Sequence, residues 1–170
     1  MKDMNSYLER LRQELEDATV SAGASDLVQA KAGQWCAAQI LEHLFLTYKT
    51  TNRGLEKCLE KGASLATHAK LKDRFASWMV LTFEHIPGGR KAPQRVTPRG
   101  MPAEAMQQAI APELQRMESL LYECEHRFGT RTKIMDHMFL GPLTADGWRK
   151  FHWVHGRHHV RQIRERIGKS

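Results

Sequence analysis

Four of the chain's nine histidines, His152, His155, His158 and His159, fall within eight residues near the C-terminus. A neutral imidazole titrates near physiological pH and is the commonest protein ligand for a transition metal. At about 100° per residue, His152, His155 and His159 share an arc of about 60° on one helix face. Residues four apart hold their Cβ atoms about 5–6 Å from each other, so His155 and His159 can converge on one ion at about 2.0–2.1 Å from each nitrogen. His158 points about 100° away from His159 and does not join them. One helix offers only this facing pair, so a third ligand must come from elsewhere. His43 is the natural candidate, because it interrupts the apolar run Ile40-Leu41-Glu42-His43-Leu44-Phe45-Leu46. It lies at the edge of the apolar sector beside Gln39, Thr47 and Thr50, where an imidazole could face a cavity between helices. A lone histidine on such a face is more often a hydrogen-bonded core residue, and the last turns of a helix favour histidine for its dipole. The conjunction of a facing pair, a cluster and an isolated interior histidine favours metal binding.

These residues need helices to position them, and helical periodicity dominates the chain. Leu8, Leu11, Leu15 and Ala18 recur at three- and four-residue spacing and predict an amphipathic helix over 5–20, broken by Ser21-Ala22-Gly23-Ala24-Ser25. A long helix is expected from Gln34 or Trp35 to Glu60, carrying His43 and stopped by Gly62. Leu71, Phe75, Trp78, Met79, Leu81 and Phe83 form a third pattern, and Trp78 and Trp153 both read as core. Residues 87–102 then form a long basic Pro/Gly-rich loop with no acid and no sustained apolar period. A fourth helix is expected over 102–128, kinked or split by Pro112 and closed by Gly129. The last runs from the Thr144 cap, with Asp146 in its first turn, to about Ile167. Strand signal is nearly absent, so the expected fold is an all-α four-helix bundle with a kinked or extra helix, one domain over 1–170.

Composition narrows the function classes. With 41% hydrophobic and 26% charged residues the chain reads as an ordinary globular protein, and no run of about 18 apolar residues could span a membrane. The N-terminus lacks the apolar core of a secretory signal. Three widely spaced cysteines, Cys36, Cys58 and Cys124, suit a reducing cytoplasm better than a disulfide framework. The net charge of +7 gathers partly on Arg90, Lys91, Arg95 and Arg99 in the loop and on Arg161, Arg164, Arg166 and Lys169 at the end. Without interleaved aromatic residues, a helix-turn-helix or a zinc-finger spacing, this charge argues against nucleic acid. The loop is better suited to an anionic small substrate or a thiol cofactor, and the bundle could pair as a homodimer.

The segment Trp35-Cys36-Ala37-Ala38-Gln39-Ile40-Leu41-Glu42-His43-Leu44 resembles the Trp-to-His opening of the second helix in the DinB-like superfamily of metal-dependent helical bundles. The segment His137 to Gln162, HMFLGPLTADGWRKFHWVHGRHHVRQ, is similar to that superfamily's last helix and its approach. It most resembles an uncharacterised branch whose signature reads about His-Pro-x-Phe-Gly-x-Leu-Thr, then Trp, then His-x-x-His-His-x-x-Gln. Met138 stands where that branch often has proline, and Gly147 and Gly156 loosen a helix usually kept stiffer. The resemblance implies metal ligands at His43, His155 and His159. Zinc and nickel both suit three imidazoles, and the resemblance implies a small-molecule substrate, with a low-molecular-weight thiol among the candidates.

Three nitrogens and an open position are the pattern of a catalytic rather than a closed structural site. An ion there could lower the pKa of a bound water or thiol, and the resemblance implies the thiol use, so the expected activity is a metal-dependent thiol S-transferase or hydrolase; the alternative is a non-enzymatic, stress-associated metal-binding bundle. Gln162 and His152 flank the cluster and could support the ligands or meet substrate. His137 could line the cavity mouth or simply be exposed. Cys36 sits seven residues from His43, about 10.5 Å along the axis, too far to share an ion. Glu42 points elsewhere on the wheel, and Trp148 reads as packing.

Overall fold

The computed structural model describes residues 6–68, 70–84 and 92–168. Six α-helices and one small hairpin make up its regular structure: α1 (Tyr7–Thr19), α2 (Ala24–Val28), α3 (Ala37–Lys61), α4 (Leu71–Phe83), α5 (Ala103–Phe128), β1 (Met135–His137), β2 (Gly141–Leu143) and α6 (Ala145–Arg166). Among these residues no helix is long and apolar enough to cross a membrane.

The sequence signals for the long helices translate directly into caps and buried faces. Ser6 Oγ accepts the Glu9 N–H to start α1, and the expected stripe Leu8, Leu11, Leu15 and Ala18 is buried. The α3 helix begins at Ala37, slightly later than expected, because Gln39 Oε1 takes the Cys36 N–H and makes Cys36 the cap. It ends where Gly62 adopts a left-handed conformation, φ 67°. Thr144 caps α6 through the Gly147 N–H at 3.1 Å, with Asp146 in the first turn. α3 packs mainly along α5 and α1 along α6, enclosing a core that includes Leu41, Leu44, Tyr48, Leu55, Leu114, Met117 and Leu121. This is the all-α bundle expected from the periodicity.

Four local expectations are corrected. Of the two outcomes expected at Pro112, a kink or a split, the split does not occur: Met106, Ile110, Leu114, Met117, Leu121 and Cys124 bury one continuous face across it, outweighing the missing hydrogen bond. The break after α1 contains α2, which Asp26 starts by accepting the Gly23 N–H at 2.8 Å; five residues are too few to show a period. The chain does contain strands, though each is only three residues long. Met135, Asp136 and His137 pair antiparallel with Leu143, Pro142 and Gly141. Gly141, at φ 68°, lets Asp73 approach so closely that a Cβ would sit 2.6 Å from the Asp73 Cβ. Finally, Trp78 is not in the core but 53% exposed, whereas Trp153 is buried as expected. The short α4 lies over α6 and β2 on one side only. Ala76, Val80 and Leu81 face the core, and Leu71, Phe75, Met79 and Phe83 stay outside with Trp78.

The basic loop is only partly described, because residues 85–91 lie outside the described residues. Its remainder is not featureless: Gln94–Val96 form a 3-10 turn that buries Val96 against α3.

Candidate metal centre

The bundle brings His43 on α3 to the histidine pair on α6. Ring nitrogens of His43, His155 and His159 all lie within 4.8 Å of one another, and the three residues could hold a metal ion. Nε2 of His155 stands 3.4 Å from Nε2 of His43 and 3.2 Å from Nε2 of His159. Two nitrogens bound tetrahedrally at about 2.0–2.1 Å would be about 3.3–3.4 Å apart, so these separations fit an ion's first shell. They span two elements: the α6 pair alone would leave an ion two-coordinate.

The outer nitrogens fix two of the three rings. His43 Nδ1 donates to the Val96 carbonyl at 2.8 Å, since a carbonyl can only accept. Its Nε2 lone pair is therefore free to face the cluster. His159 Nδ1 donates to Gln162 Oε1 at 2.7 Å with the same result. Nδ1 of His155 is buried with no hydrogen-bond partner among the described residues. The His155 ring is instead braced by Phe151, stacked at 5.4 Å and 18°, while Trp35 packs against His43 at 5.2 Å. Lone pairs aimed at one another at this range repel unless a cation or proton lies between them, so the donor set suits a divalent ion.

Burial also keeps the rings neutral, as metal ligation requires. It lowers the pKa of His43 and pushes His159 down to about 3. His155 lies well below the ordinary histidine value, first through burial and then through the proximity of His159 and His43. A protonated imidazole here would lose its hydration and face two others.

Glu42 has a role that the helical wheel did not reveal. Only 1% exposed, its carboxylate reaches across to the loop: Oε1 accepts the Arg99 N–H at 2.7 Å. Oε2 accepts those of Gly100 and Met101 at 2.9 and 3.0 Å. The latch holds the segment that carries Val96, whose carbonyl fixes His43. A glutamine offers one acceptor oxygen where the carboxylate offers two, so Glu42→Gln leaves at least one amide facing an NH2 group. We expect thermal unfolding to show a loss of about 1–3 kcal/mol. Metal titration should show affinity lower by about tenfold through the loosened His43.

The remaining expected residues divide cleanly. Gln162 contacts the cluster through His159, and its Nε2 lies 3.2 Å from His158 Nε2. His152 does not reach the cluster. It is fully buried, pairs with Thr51 Oγ1 at 3.2 Å and stacks on Trp148, and burial lowers its pKa to about 3. His137 organises the hairpin: its Nδ1 accepts the Phe139 and Leu140 N–H groups, each at 3.2 Å, and its ring packs 4.1 Å from that of Phe151. Cys36 is the buried cap of α3 and Trp148 is packed in the core. Sequence reasoning missed Val96 and the latch. The available signal was an acid beside His43 in an apolar stretch and one valine in a polar loop.

No curated protein and no solved structure matches the chain significantly. One family model does, described as "Protein of unknown function (DUF1569)", and it matches residues 8–166. That span takes in α3, the latch and all three clustered histidines, and the chain belongs to the DUF1569 family.

Proposed function

We propose that the chain is a divalent-metal protein in which His43, His155 and His159 hold zinc or nickel, and that it acts on a small molecule as a thiol S-transferase or hydrolase. The observation that carries this reading is the pair of Nε2 separations, 3.4 and 3.2 Å, joining α3 to α6 at first-shell spacing. A bound ion would supply an open coordination position and lower the pKa of a water or thiol there toward neutrality. The protein's own residues do the rest. Val96 and Gln162 fix the tautomers of His43 and His159, and Trp35 and Phe151 form apolar walls that limit water. The resemblance to DinB-like proteins supports the same three ligands and a thiol as a candidate substrate. Three free, buried cysteines support a reducing, cytoplasmic setting.

The test is metal content. Purified protein should take up one equivalent of zinc or nickel by calorimetric titration, and the His155→Ala/His159→Ala double variant should take up none. Equal metal content in the two proteins would refute the reading.

A further inference from the structure

Exposed large apolar side chains gather on the outer face of α4. At about 100° per residue, Leu71, Phe75, Trp78, Met79 and Phe83 share an arc of about 140°, with Lys72 and Thr82 inside it. The five are 83, 63, 53, 41 and 58% exposed, and no residue of α4 is fully buried. The rings are contiguous: Trp78 lies 6.0 Å from Phe75 and 5.3 Å, edge-on, from Phe83. A helix of 13 residues is marginal by itself and depends on packing, which Ala76, Val80 and Leu81 supply on the inner side alone. At those exposures the five residues leave about 600 Å² of apolar surface in water, since a whole aromatic side chain contributes about 150–250 Å². That is the upper end of what a monomer ordinarily shows. Two such faces together would bury about 1,200 Å², which reaches the size of a specific, stable interface.

The order of residues along α4 suits its own reversed copy. Leu71 and Phe83 are equidistant from Ser77, and so are Phe75 and Met79. Two copies of α4 laid antiparallel about a twofold axis at that level would set Leu71 against Phe83 and Phe75 against Met79, with Trp78 near the axis. Lys70 and Glu84, the residues that flank the helix, are also equidistant from Ser77, so each cationic end would meet an anionic one. Antiparallel helix dipoles add to the same preference. Residues 1–5 and 85–91 of the chain carry no more than two large apolar side chains apiece, too few to cover five.

We propose that the outer face of α4 is the interface of a twofold homodimer, in which two copies of α4 pack antiparallel around Trp78. The proposal stands apart from the metal reading, since α4 carries none of the three clustered histidines.

The test is the association state of the full chain by sedimentation equilibrium, with vesicle binding measured beside it. Wild type should be a dimer with a Kd of about 1 µM or below. Trp78→Glu should raise that Kd at least about 30-fold, the effect of losing a central aromatic anchor, with helical content unchanged. Thr82 is exposed and stands as far from Ser77 as Lys72 does, so the two face each other across the axis. At low salt Thr82→Glu should therefore tighten the dimer and Thr82→Lys weaken it, each by about fivefold. This pair carries the test if Trp78→Glu fails to fold, because residue 82 meets only solvent in the single chain. Wild type that stays monomeric at about 100 µM overturns the proposal. So does a monomer that cosediments with phosphatidylglycerol vesicles, which would give the face to a membrane surface. A dimer that Trp78→Glu leaves intact places the interface elsewhere, and the opposite order of the two Thr82 variants rules out the antiparallel pairing; either result overturns the proposal as well.

Discussion

In a His43→Ala variant, affinity for zinc or nickel should fall by more than about 100-fold, because changes to the outer partners of a metal ligand alone cost 10–100-fold. The reason is geometric. His155 and His159 sit one turn apart on α6 and can satisfy at most two positions, whereas His43 comes from α3 on the opposite wall. Losing it leaves an open two-ligand site on one helix. The same variant separates the ion's effect on stability from that of the buried ring. With free ion at about 100 times Kd, wild type should gain about 2.7 kcal/mol over chelated protein, a rise of about 5–10 °C in Tm. The chelated variant should itself be less stable than chelated wild type, since His43 is buried and bonded to Val96. The ion-dependent rise is the diagnostic quantity, and in His43→Ala it should disappear. A variant that keeps the full rise would show that His43 is not a ligand.

The second large effect concerns a residue without a side chain. Intrinsic helix propensity favours Gly156→Ala by about 1 kcal/mol, as for any glycine inside a helix. Packing reverses the sign. A Cβ on Gly156 would lie 2.3 and 2.6 Å from the Leu11 methyl carbons and 3.0 Å from its Cγ. Leu11 is fully buried between α1 and α6, so the whole side chain must move and α1 with it. Overpacking a tight core costs about 1–3 kcal/mol, occasionally more, and at so close an approach it should exceed the propensity gain. The expected outcome is a net loss of about 2 kcal/mol, measured as a fall of about 4–8 °C in Tm. The companion variant Gly156→Ala/Leu11→Ala should recover part of the clash term at the cost of a smaller core. An unchanged or raised Tm in the single variant would mean that α1 yields to the new methyl without strain. The glycine that seemed to loosen α6 is thus what lets α1 seat against the turn between His155 and His159.

The same contrast explains what the sequence could and could not disclose. Features written in the 3.6-residue period were legible: the buried face of α1, the extent of α3 and its stop at Gly62, the Thr144 cap, and the facing of His155 and His159 on α6. His43 was legible because a polar residue in an apolar stretch marks itself. Contacts between segments distant in the chain left no such mark. The bond from Val96 to His43 spans 53 residues, and Glu42 reaches 57 to 59 residues ahead. Neither has a period, and a carboxylate beside a helix histidine reads as surface until its partners are seen. Trp78 failed for a related reason. Its helix carries apolar residues on two sides, and only the packing of α4 against α6 and β2 decides which side is covered.

The Glu42 latch joins two events that would otherwise be independent. Val96 and the three amides that Glu42 binds belong to one short stretch, so ordering of that stretch and occupancy of the histidine cluster are linked equilibria. By reciprocity, whatever factor the ordered loop contributes to an ion's affinity is the factor by which the ion favours the ordered loop. A substrate that contacts residues 94–101 would then tighten the grip on the ion as it binds, and a cluster emptied of its ion would hold that substrate less well.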